Sequence, residues 1–334
     1  MHAYLLEPGD ELPHQPTADS NFNESVYMNA FDHGRRMGGW MRVGNRVNEG
    51  YAELAVCLYL PDGRIACQFL RPSLGSNDAF DAGGLSVRVV EPLRRLSMHY
   101  RGEVMLLEDP ELLRDSKRLF TDAPRVAAEI DWHHEATSPV HGGLPATAEQ
   151  ETLYGRDFSL GHFNQHTRVS GSIRIGGEHW PVDGYGWRDH SWGPRYWQNI
   201  LFDRLYMANF GPDRGLMLLK IANRNGLVRR GGVLHYDGEY EEVIDLDLFN
   251  EWNAARDPVR FKLGVRTARR TAVIEGRILN CAPLSNRRQY GELVEKTRIA
   301  ECFTELTWDD GRVGYGMTEY VELLRDGVPA GFPL

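Results

Sequence analysis

The chain has few cysteines, no long apolar run and no excess of basic charge, and each shortage removes a class of function. Four cysteines occur among 334 residues, at 57, 67, 281 and 302, with no CxxC spacing. That density does not staple a secreted scaffold and that spacing does not build a zinc site, so reduced thiols are expected. Cys57 and Cys67 flank the turn signal Asp62-Gly63 and are the pair a hairpin would bring close. No run approaches the roughly 20 apolar residues of a membrane-spanning helix. The first eight residues carry neither the basic nor the apolar segment of a secretion signal, so a soluble cytoplasmic protein is expected. Lys and Arg number 38 against 47 Asp and Glu, a net charge of −9, which argues against a nucleic-acid partner. The adjacent arginines at 94-95, 229-230, 269-270 and 287-288 are interspersed with acids and read as solvated positions. No glycine-rich dinucleotide or P-loop fingerprint and no GxSxG elbow occurs, so nucleotide-dependent and serine-hydrolase chemistry lose their support.

What is present is strand. Tyr51–Leu60 and Arg64–Leu70 alternate about Pro61-Asp62-Gly63 as a hairpin, and Arg168–Ile175 and Glu178–Val182 do so about Gly176-Gly177. Similar runs recur at Leu85–Glu91 and Leu96–Arg101 and, between Leu205 and Glu322, at Val228–Tyr236 among others, separated by DG, GG or NG pairs. This pattern predicts an all-β antiparallel barrel or sandwich. Helical signals are limited to Pro110–Phe120, with Pro early and basic residues late, a turn or two at Pro124–Ile130, and an ambiguous stretch, Leu284–Lys296. The segment 138–164 is rich in Gly, Pro and His and reads as a connection between two halves.

Chemistry concentrates in Asp183–Trp197, which holds three tryptophans, two tyrosines, two aspartates, a histidine and two arginines between glycines. Core strands exclude unpaired charge, and solvated loops give aromatics nothing to pack on. The mixture suits the wall of a pocket that is apolar in bulk and polar at a few points. If the segment is extended, Trp187, Asp189 and Ser191 share one face and His190 and Trp192 the other. The competing structural reading makes Asp189 a cap for backbone amides and the tryptophans a barrel plug.

Two further constellations are candidates. Asn21–Trp40 contains Asp32-His33, an echo of Asp189-His190, followed by Arg35 and Arg36, which suit a carboxylate partner. His133, His134 and His141 precede His162 and His166, whose spacing matches helical zinc ligands. No HExxH and no Cys pair accompanies them, so these histidines read as pocket-lining and no metal is expected.

Gly186-Trp187-Arg188-Asp189-His190-Ser191-Trp192-Gly193 resembles the G-x-W-x-D-H-x-W-G signature of lipocalin-like proteins related to AttH and carotenoid 1,2-hydratase (hydroxyneurosporene synthase). Val89–Leu96 with Tyr100-Arg101-Gly102, and Gly314–Tyr320, are similar to two further stretches of that group. The resemblance implies two consecutive lipocalin-like β-barrels with a few short helices, expected here as domains 1–165 and 166–334. Members include hydratases of isoprenoid double bonds and cyclase or Diels–Alderase relatives. It also implies a bulky, unsaturated, hydrophobic ligand and no cofactor. Trp187, Asp189, His190, Trp192 and Gly193 carry over by motif, while Pro194-Arg195-Tyr196-Trp197 departs from it.

The resulting expectation is a hydratase, isomerase or cyclase for a terpenoid, steroid or polyene. Asp189 is the expected general acid, with Asp32 second and His190 orienting the acid or activating water. Trp187, Trp192, Trp197 and Tyr185 would offer ring faces to a cation, Arg195 would hold a polar end of the substrate, and His162 would line the pocket. A non-catalytic binding protein for a hydrophobic or aromatic molecule is the alternative, and a metal-dependent hydrolase using His162 and His166 a third. A homodimer is compatible with either of the first two.

Overall fold

The computed structural model describes residues 4–290 and 293–334. The chain divides into two compact units: one comprising residues up to Asp62, Ala66–Leu106 and Pro124–Trp197, the other Gly63–Ile65, Leu107–Ala123 and Gln198–Leu334. The boundary expected at 165/166 lies within the strand Gly161–Ile175, which belongs wholly to the first unit. Segment 138–164 also belongs to that unit.

In the second unit, Ile200–Asn209 pairs on one edge with Arg214–Asn223 and on the other with Val313–Arg325, closing eight strands into a barrel. The sequence dictates this closure through period-two alternation. Pro258–Thr267, for example, turns Phe261, Leu263 and Val265 inward and leaves Arg260, Lys262 and Arg266 exposed. Tyr206 and Tyr320 satisfy their buried hydroxyls on Asn250 Oδ1, at 3.3 and 2.8 Å.

The first unit is different, and it corrects the expectation of two lipocalin-like barrels: one closed eight-stranded barrel is present, not two. Its twelve-stranded sheet does return on itself, because Arg125–Ala136 pairs with both Gly161–Ile175 and Arg95–Leu107. Two strands of that ring change partner along their length, however. Gly161–Ile175 pairs near its start with His141–Pro145 and from Thr167 onward with Arg125–Ala136. Arg95–Leu107 likewise takes Leu85–Glu91 along its first half while also neighbouring Ile65–Leu70. A barrel needs one continuous neighbour per edge for a constant stagger, so this ring branches. Its core holds Val26, Met28, Met41, Val43, Leu54, Val56, Ile130, Trp132 and Ile173, and burying a side chain of that size contributes roughly 1.5–3 kcal/mol.

Pro110–Phe120 becomes a 3-10 turn, Pro110–Arg114, and a short helix, Ser116–Asp122, capped by Asp109 and Asp115. Pro124–Ile130 is instead mostly strand, because Arg125–Ala136 pairs along both edges. Leu284–Lys296 is strand on both sides of Gly291-Glu292, which lie outside the described residues. Cys281 and Cys302 lie opposite each other across two strands with sulfurs 3.2 Å apart, and none of the four cysteines is in a disulfide. Arg94 and Arg95 pair with Glu91, and Arg269 and Arg270 with Glu239 and Glu241. The side chain of Arg288 lies outside the described residues. Among the described residues no helix is long and apolar enough to cross a membrane.

Candidate active site

The Trp-rich segment is strand as far as Pro194, within Glu178–Pro194, held between Gly161–Ile175 and Phe22–Asp32, and Arg195, Tyr196 and Trp197 lie beyond the strand's end. Directly opposed residues share a face, so the register fixes every side chain's direction. Trp187, Asp189 and Ser191 sit opposite His166, Asn164 and His162 on the outer face of the ring. Arg188, His190 and Trp192 sit opposite Gln165, Phe163 and Gly161, and across the other edge opposite Met28, Val26 and Glu24, on the core face. Gly186 is required by close approach: a Cβ there would lie 1.9 Å from the Asn29 carbonyl oxygen. Asp189 and His190, neighbours in sequence, therefore work on opposite sides of the sheet.

On the outer face, His162 Nε2 forms a short hydrogen bond with Asp189 Oδ2. The imidazole stacks on Tyr154 (4.2 Å between centroids, 25° between planes), and Phe158 lies beside both rings, 5.1 Å from Tyr154 and 6.3 Å from His162. Trp197 meets Phe158 edge-on at 5.3 Å. The Arg195 guanidinium lies 3.7 Å over the Phe158 ring and donates from Nη2 to Ser191 Oγ at 2.9 Å. Burial pulls Arg195 down to about 9, with Arg42 adding to the effect and Asp189 opposing it, so it stays cationic at neutral pH. Its Nε and His162 Nδ1 are buried without a hydrogen-bond partner among the described residues. The Asp189 side chain is 17% exposed against 4% for His162, which makes the carboxylate the open end of the pair.

The core face carries a second acid–histidine group. His14 Nδ1 and His190 Nε2 approach the same oxygen, Glu24 Oε1, at 2.6 and 2.9 Å, while Asn77 donates to Oε2 at 2.6 Å. Burial alone would raise the Glu24 carboxyl, but the two histidines outweigh it and hold the group at about 2. Phe80, Phe163 and Trp192 surround the His190 ring. Deeper still, Arg188 is wholly buried and bound by Glu11 Oε1 (2.7 Å) and Gln165 Oε1 (2.9 Å).

The structure thus gathers Asp189, His162, Arg195 and Trp197 and separates them from His190 and Trp192. Asp32 accepts bonds from the Arg35 backbone and guanidinium and from the Asp183 amide, a turn cap at the far end of the strand. Six residues separate Asp183 from Asp189, roughly 20 Å of strand, so Asp32 does not join Asp189. Tyr185 lies at that same far end against His33 and Arg168. Trp187 is buried against His166 at 4.6 Å. His162 and His166 do not converge as ligands, because His162 is turned to Asp189 and His166 to Trp187. A cavity of about 300 Å³ is lined by Arg95, Leu96 and Arg168 with His133 and His134, two of the histidines read as pocket-lining, and by none of Asp189, His162, Arg195 or Trp197.

Sequence reasoning missed Tyr154, Phe158, His14 and Glu24. The aromatic pair lies in the Gly- and Pro-rich segment read as a connection. Glu24 sits in a strand buried on both faces, where an acid amid Asn, Ser and Val is the remaining signal.

The sequence matches the model of a domain of unknown function, DUF7064, over residues 7–323. The chain belongs to this family. No protein of curated function matches this DUF7064 chain in sequence. Its fold is similar to that of CghA crystallised with Sch210972 (11% identity, 96% of each chain covered, TM-score 0.57). It is similar also to kievitone hydratase from Nectria haematococca (10% identity, 90% of this chain and 88% of that one, TM-score 0.54). A putative AttH from Nitrosomonas europaea matches at 12% identity over 97% of this chain and 98% of that one, with a TM-score of 0.53. At these identities the likeness is one of fold, and it includes an AttH protein of the group that the Trp-rich motif resembles.

Proposed function

We propose that this DUF7064 protein is an enzyme that adds water to, or isomerises or cyclises, an unsaturated hydrophobic substrate without a cofactor. The observation that carries this reading is the Asp189–His162 pair, set among aromatic rings with its carboxylate end accessible. An acid–histidine pair holds one transferable proton between two bases. In the hydration cycle that proton passes to one alkene carbon as the π bond opens. Water then attacks the cationic carbon, and its surplus proton returns to Asp189. Substrate and water are consumed and the pair is restored.

The cation formed on the way needs stabilisation in a water-poor setting. The Tyr154 ring can supply about 2 kcal/mol or more where desolvated. Arg195, over the Phe158 and Trp197 rings, repels that cation, which places the reacting carbons at Tyr154 and reserves Arg195 for a carbonyl or hydroxyl of the substrate. The hydratase name of one fold relative is compatible with this chemistry. Asp189 and His162, rather than Asp32 and His190, are the acid–base residues.

Native mass spectrometry of freshly purified protein, followed by organic extraction, tests the ligand class. A co-purified terpenoid, steroid or polyene that gains 18 mass units or changes isomer on incubation supports catalysis. The same ligand released unchanged after long incubation identifies a binding protein.

A further inference from the structure

We propose that His14, Glu24 and His190, on the core face, form a binding site for one divalent transition-metal ion of the zinc class. Each residue contributes one ligand atom, and the three atoms lie within 4.8 Å of one another. His14 Nδ1 and His190 Nε2 stand 2.6 and 2.9 Å from Glu24 Oε1. A four-coordinate zinc with bonds of about 2.0–2.1 Å separates its ligands by roughly 3.3 Å. Lengthening the two contacts to Glu24 Oε1 by less than an ångström therefore gives zinc-type spacing.

The surroundings match those of ligating groups. The far nitrogen of His14 lies 3.4 Å from Asp10 Oδ1, the carboxylate–histidine arrangement that orients a ligating imidazole. Asn77 donates to Glu24 Oε2, the His14 backbone amide is shared between Oε2 at 2.9 Å and Oε1 at 3.1 Å, and Oε1 faces the two imidazoles. Trp192 stacks on the His14 ring at 3.9 Å and 14°, fixing its plane. Glu24 and His190 are sealed, whereas the His14 side chain is 21% exposed, which gives an entry path. Two imidazoles and one carboxylate are a donor set for zinc, cobalt or nickel rather than magnesium or calcium.

The site is distinct from Asp189–His162, which faces the other way, and its test is independent of that reading. Full-length protein is stripped with a chelator, dialysed and titrated with Co(II), then Zn(II), at pH 7.5. The expected result is one equivalent bound with a visible cobalt band that zinc displaces, weakened at least 100-fold in His14→Ala and unchanged in Asp189→Asn. Glu24→Gln is expected to lose the band; should it fail to fold, the partly exposed His14 carries the test. Absence of a 1:1 complex in the intact protein overturns the proposal, as does a His14→Ala variant that binds cobalt as tightly as the parent.

Discussion

Asp189 and His190 are adjacent, and each belongs to an acid–histidine group, yet the two groups have opposite characters. Asp189–His162 lies on the outer face with its carboxylate partly accessible and aromatic rings beside it. Glu24–His190 lies on the core face with both members sealed and Glu24 bound by His14 and Asn77 as well. The chemistry of the side chains is the same, and what separates them is access. A proton donor must reach a substrate, whereas a saturated buried cluster of charges fixes structure or holds an ion.

That contrast can be broken at either group. The largest expected effect is at the accessible one: His162→Gln lowers turnover by about 10²–10⁴ fold, the range for losing an acid–base group, with the thermal midpoint little changed. His190→Gln, by contrast, is expected to act on stability, which parallel melting curves would show. Glu24→Gln is expected to cost about 3–5 kcal/mol, as when one partner of a buried ion pair is removed, measured by urea denaturation. Equal loss of turnover at unchanged stability in both histidine variants would dissolve the distinction. Arg195→Met is expected to raise KM about tenfold for a substrate with a polar end, with kcat nearly constant, because Arg195 binds rather than reacts.

The smallest expected effect is a pH dependence. Burial holds the His134 imidazole down to about 3, with Arg188 and His133 adding to the shift. Its folded value is depressed below the ordinary 6.5, so the unfolded chain binds the extra proton first. Stability from this site is complete above pH 6.5 and falls as pH drops from 6.5 towards 3. His134→Leu is expected to flatten the acid limb of a denaturation-versus-pH curve in that window. An unchanged slope would show that His134 does not titrate on unfolding.

Much of the fold was legible where one face of a strand meets solvent. Val228–Tyr236 and Leu85–Glu91 have the same bounds in sequence pattern and structure, because alternation and turn residues set them. Phe22–Asp32 and Met37–Arg46 were not singled out as strands, because both their faces are buried and the alternation disappears. The branching of the first sheet was hidden as well, since a change of partner halfway along a strand leaves no local signature. At the site, alternation correctly divided Asp189 from His190. Their partners were illegible: Glu24 lies 166 residues from His190, and only the fold joins them. Asp32-His33 looked like Asp189-His190 in sequence, but a tight turn after Asp32 turns its carboxylate into a cap.

The most direct test of the central claim is turnover in H₂¹⁸O. Intact protein and Asp189→Asn are incubated with a panel of terpenoid, steroid and polyene alkenes and read by mass spectrometry. The expected result is a product of the intact protein that has gained one labelled water or changed isomer, reduced by about 10²–10⁴ fold in the variant. Full activity in Asp189→Asn, or every alkene returned unchanged by the intact protein, would contradict it.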